Sequence, residues 1–78
     1  MEYLIRVERN KERLLKMRQY AVETALDCLE YRLNPEAKPG SCYLSNDQLE
    51  ALQAKYEGYI KDITDRLCEI VREGNVNG

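Results

Sequence analysis

Arg6, Arg9, Arg13 and Lys16 follow one another at three- and four-residue intervals near the start of this chain. On a helix that spacing stacks four cations along one face. Between residues 6 and 18 there are six basic and two acidic residues, and Tyr20 extends the same face toward the middle of the chain. A basic stripe beside aromatic rings can hold phosphates or an acidic protein. It can equally be a solvated face, neutralised by the acids Asp62, Asp65, Glu69 and Glu73 if the chain folds back on itself. Three readings follow: solvent, an acidic protein partner, or nucleic acid. Salt dependence separates the last from the others, because phosphate contacts weaken steeply as counterions are added. The net charge of −2 argues against a chain that seeks nucleic acid over its whole surface.

Other groups offer less chemistry. Histidine is absent, which removes the commonest general base and metal ligand. The cysteines at 28, 42 and 68 are odd in number and match no zinc spacing, so reduced thiols are expected. Cys42 lies just before a helix start, where the dipole can lower a thiol pKa, but it has no base nearby in sequence. Asp62, Asp65 and Glu69 share a helix face with no sign of burial and are interleaved with Lys61 and Arg66. No Gly-rich loop or nucleophile elbow accompanies them. The expectation is a protein without catalytic residues, cofactor or metal.

The elements that must position these residues are helical. Between about Glu2 and Leu33 there is neither Pro nor Gly, and the composition favours good helix formers. Asn34 precedes Pro35, which pushes it out of the helical region and ends the first helix. Pro39-Gly40 suits the centre of a type II turn. Ser45 and Gln48 have the spacing of a capping box, and Leu44 and Leu49 that of a hydrophobic staple. Asp47 adds negative charge to the first turn. Gly74 suits a C′ position. The boundaries expected are helix 2–33, loop 34–44, helix 45–73 and a frayed tail 74–78. The fold class is all-α, a single domain: an antiparallel two-helix hairpin roughly 40–50 Å long at 1.5 Å per residue.

The apolar faces suggest assembly. The second helix carries one stripe, Leu49, Leu52, Tyr56, Tyr59, Ile60, Ile63, Leu67, Ile70 and Val71, about one core-facing side wide. The first helix carries two adjacent stripes. One is Leu4, Leu15, Val22, Leu26, Leu29 and Leu33; the other is Val7, Leu14, Met17, Ala21, Ala25 and Cys28. Together they cover roughly half the circumference, more than a single partner helix covers. Self-association through Val7, Leu14, Met17, Ala21, Ala25 and Cys28 is therefore expected, giving a homodimeric four-helix bundle with coiled-coil character. Ala51, Ala54 and Gly58 lie on the back of the second helix, where small residues let another backbone approach; alanine as a plain surface helix former is the alternative. No run is long enough for a membrane span or signal core, so a cytoplasmic protein is expected.

Tyr3 to Ala21, "YLIRVERNKERLLKMRQYA", resembles the opening of the ArpU-like late-gene transcription regulators and their small phage relatives in Gram-positive bacteria. The matching positions are Tyr3, Leu4, Leu15, Arg18 and Ala21, with Ile63 and Leu67 in a following helix. The resemblance implies a phage or mobile-element origin and an interaction role. Fuller members continue into a sigma-factor-like DNA-binding part that this sequence does not contain. The function expected is that of a small modulator or inhibitor of a host protein, bound through an exposed helix face. The alternative is a nucleic-acid-associated regulator using the basic stripe.

Overall fold

The computed structural model describes residues 2–77, and side chains of residues 2–74. The described residues are all-α, with no strand: α1 (Glu2–Val7), α2 (Lys11–Leu33), a short 3-10 turn (Pro35–Ala37) and α3 (Asn46–Asn77). The molecule is a rod of 51 × 17 × 16 Å.

The expected continuous helix over 2–33 is broken at residues 8–10. Asn10 is extended, with φ −82° and ψ 114°, and its side-chain oxygen accepts from the backbone N–H of Glu12 and Arg13 at 2.9 and 3.3 Å. The Glu8 carboxylate in turn accepts from the Asn10 N–H at 3.1 Å. Asparagine competes for backbone hydrogen bonds in this way, and it is among the best N-caps. The break changes the phase of what precedes it. In an unbroken helix, nine steps of about 100° would put Ile5 on the opposite side from Leu14. Here both are buried in one cluster with Ile63, packed by Met17, Tyr59, Leu67 and Ile70. Val7, expected beside Leu14, is 51% exposed instead.

The start of α3 is as the sequence predicts. Ser45 Oγ accepts from the Gln48 N–H at 3.2 Å, and Gln48 Oε1 accepts from the Ser45 N–H at 2.9 Å. Leu49 is 1% exposed. Replacing Ser45 by Ala removes one acceptor and should cost on the order of 1 kcal/mol. Urea unfolding followed by circular dichroism reads this; an unchanged midpoint would mean that the cap contributes nothing to the folded state.

Two glycine assignments differ from expectation. The turn in the connection is closed by Cys42 N–H donating to the Pro39 carbonyl at 2.9 Å, so Pro39 begins the turn rather than occupying its second position. No glycine among the described residues has positive φ, which a type II turn centred on Gly40 would need. Gly74 does not end a helix, because α3 continues through it to Asn77. Of the expected frayed tail 74–78, Gly78 lies outside the described residues.

Contacts between α2 and α3 run in opposite order along the two helices. Arg18 Nε donates to Thr64 Oγ1 at 3.1 Å, and Arg32 Nη1 donates to Gln53 Oε1 at 2.8 Å. Further along α3, Arg66 Nε donates to the Glu8 carbonyl at 3.4 Å. At 32 residues α3 is longer than α2 with 23, and α1 packs on α3 around Ile63 and Arg66, beside the start of α2.

Candidate interaction surface

The face of α2 turned toward α3 carries Leu14 at its start and small side chains beyond it. Leu14 and Ala21 are 0% exposed, and Ala25 and Cys28 are buried with them. Small residues let the α3 backbone come close. This revises the expectation for self-association: Leu14, Ala21, Ala25 and Cys28 are in the chain's own core, Met17 is packed on it, and Val7 sits on α1 away from them. Burial is the first cause raising the Cys28 pKa, with Asp27 and Cys42 adding to it, so this thiol stays protonated. Cys42 is half-buried and Cys68 exposed, and all three are free.

The neighbouring stripe is the one left open. Leu15, Val22, Leu26, Leu29 and Leu33 are separated by seven, four, three and four residues, a heptad rhythm on one side of α2. Leu15 is 52% exposed, Leu26 58% and Leu33 76%; Val22 and Leu29 are half-buried. Arg18 and Arg32, with Lys11, form a basic edge along the stripe beside α3. Lys16, Glu23 and Glu30 form its outer edge, acidic at the last two positions. Arg32 reaches Glu50 at 4.0 Å as well as Gln53. Gln19 Nε2 donates to Glu23 Oε1 at 3.2 Å.

The four cations of the basic stripe do not share a helix face. Arg6 is on α1, Arg9 in the break, and Arg13 and Lys16 on α2. Arg13 is 3.7 Å from Glu8. Arg6 lines an open cleft of about 430 Å³ with Glu2, Asp62, Asp65, Arg66 and Glu69, floored by Ile5. Arg6 thus shares a cleft with acids of the second helix without forming an ion pair among the described residues. Arg66 donates to Glu69 at 3.1 Å within the same cleft. Tyr20 lies edge-to-face with Tyr56, their centroids 5.9 Å apart, and Tyr56 with Tyr59 at 5.3 Å. The Tyr20 side chain is the first cause pushing the Tyr56 phenol pKa up. These rings stack on one another and extend the core outward on the flank opposite the leucine stripe.

Ala51, Ala54 and Gly58 are exposed on α3, and a Cβ at Gly58 would meet nothing within 4 Å. Ala51 borders a shallow groove with Leu44, Gln48, Leu52 and Lys55. Among the described residues no group of three or more Cys, Asp or Glu side chains is placed to hold a metal. No helix among them is long and apolar enough to cross a membrane.

No family model, curated protein or solved structure matches this chain. The surface itself must therefore carry the functional argument. Two features escaped sequence reasoning. One is the break, whose signal was Asn10 followed by the acidic Glu12 in a first turn. The other is which of the two adjacent stripes faces inward, for which the run of small residues at 21, 25 and 28 was the available sign.

Proposed function

We propose that this chain is a non-enzymatic helical interaction protein. In this reading α2 and α3 form an antiparallel hairpin, and two hairpins join along α2 into a four-helix bundle. The assembly works as a small phage or mobile-element modulator in the host cytoplasm, binding a host protein through an exposed helix face. The opposite order of the cross-helix hydrogen bonds supports the hairpin. The resemblance of Tyr3–Ala21 to ArpU-like proteins supplies the phage setting.

One observation carries the reading: the uncovered heptad stripe of α2. Each leucine taken fully out of water contributes roughly 1.5–3 kcal/mol. Leu15, Leu26 and Leu33, each more than half exposed in one line, leave much of that unrealised in a single chain. A protein surface is the natural cover. Nucleic acid is the weaker alternative, because the cations at 6, 9, 13 and 16 are divided between α1, the break and α2, and Arg6 already faces acids.

Sedimentation equilibrium tests the proposal. The wild-type chain should exceed 9.1 kDa at micromolar concentration. Leu26→Lys should return it to the monomer mass with its helical circular dichroism intact. A wild-type monomer across the accessible range would overturn self-association.

A further inference from the structure

We propose that the second copy docks on the α2 stripe in parallel and in register, with Arg18 of each chain facing Glu23 of the other. This inference rests on the self-association reading above and specifies its surface and its geometry.

The occupant has to be a helix with a heptad repeat of its own. The stripe consists of two interleaved series, Leu15–Val22–Leu29 and Gln19–Leu26–Leu33, each with a seven-residue period. That is the period at which two helices keep one seam in contact. From Leu15 to Leu33 the seam is roughly 27 Å long at 1.5 Å per residue. On the same flank α3 presents Glu50, Gln53, Glu57, Lys61 and Thr64, as the bonds from Arg18 and Arg32 to that flank establish. The apolar surface is therefore one helix wide, and α2 of a second copy matches it in both length and period.

Charge fixes the direction. The stripe has a basic edge on its α3 side, and its outer edge is acidic at Glu23 and Glu30. A two-fold axis along the seam brings the basic edge of each α2 against the outer edge of the other. In parallel pairing, a residue flanking the seam faces the one five positions later on the opposite edge. Arg18 thus faces Glu23 of the second copy, twice by symmetry. Within the chain Arg18 spends only Nε, on Thr64, and neither residue is in an ion pair among the described residues. Gln19 faces its own copy, where one amide donates and the other accepts. A single polar residue within such a seam sets register at some cost in stability. The like-charged approaches, Lys11 to Lys16 and Glu12 to its own copy, are confined to the start of α2.

An antiparallel seam fits less well. Aligning Leu15 with Leu33 puts Arg18 near Arg32, Glu23 near its own copy, and the Gln19 amide against Leu29. Only Lys16 and Glu30 gain a partner.

Charge reversal tells the two apart. Sedimentation equilibrium is run on Arg18→Glu, on Glu23→Arg and on their equimolar mixture, with folding checked by circular dichroism. In the parallel seam each variant alone should self-associate roughly tenfold more weakly, since two opposed attractions become repulsions. The mixture should recover wild-type association, because Glu at 18 then meets Arg at 23. In the antiparallel seam Arg18→Glu would meet Arg32 and associate more tightly than wild type; that result would overturn the parallel geometry while leaving self-association standing. Association unchanged in both variants would likewise remove the α2 seam. A monomeric wild type would sink the self-association reading itself. Glu23→Arg disturbs only the Gln19 contact within the chain, so the test survives if Arg18→Glu loosens the fold.

Discussion

Replacing Ile63 by Ala should lower the free energy of unfolding by about 2–5 kcal/mol. The side chain is 0% exposed and is the point where Ile5 of α1, Leu14 of α2 and α3 meet. Removing it leaves a hole that rigid helices on either side close only in part. A chain of this length has a total stability of roughly 4–12 kcal/mol, so the loss is a large share of the whole. The core has little in reserve: Ile63, Leu14 and Leu49 are the only large side chains with under 2% exposure among the described residues. Urea denaturation at fixed protein concentration, read by far-UV circular dichroism, gives the number; concentration is held because association adds apparent stability. A loss below about 1 kcal/mol would contradict the burial of Ile63.

The second large effect is expected at Ala21, through the opposite mechanism. Ala21 is 0% exposed on the face of α2 that meets α3. Leucine there has no free volume, and overpacking of this kind costs about 1–3 kcal/mol. For a domain of this size the melting temperature should fall by roughly 5–20 °C. Ala54→Leu, on the exposed back of α3, is the control and should leave the melt nearly unchanged. If Ala21→Leu melts like wild type, the close approach of α2 and α3 at this point is wrong.

Legibility in the sequence follows the range of the interactions involved. The capping box at Ser45 and Gln48 could be read directly because every group in it lies within four residues. The all-α class followed from composition, and the start of the connection from Asn34-Pro35. The break at Asn10 is local too, yet it was masked by strong helix formers on both sides. Once missed, it carried Leu4 and Val7 into stripes to which they do not belong, because an angular count assumes one continuous helix. The two stripes of α2 were visible as a single wide arc, but periodicity gives the width of an arc and not which half faces the partner. That choice depends on how near the helices come. Ala21, Ala25 and Cys28 are inside because they allow a closer approach than Leu15, Leu26 and Leu33 would. The basic set failed as a single face for the same reason as Val7: Arg6 and Lys16 are on different helices.

The break at Asn10 has a thermodynamic consequence. Six residues are far too few for a helix to persist in water, where roughly 12–15 are marginal. The order of α1 is therefore borrowed from α3, and Ile5 is its one buried side chain. When Ile5 leaves its place, nothing in the hydrogen-bonded ladder of α2 has to follow, because Asn10 already caps that ladder from within. The N-terminal segment can open while the two long helices stay closed, at a free energy below that of global unfolding. The chain is thus expected to hold two cooperative units of unequal stability, each opening of the smaller one uncovering Leu14 near the start of α2 and Ile63 midway along α3.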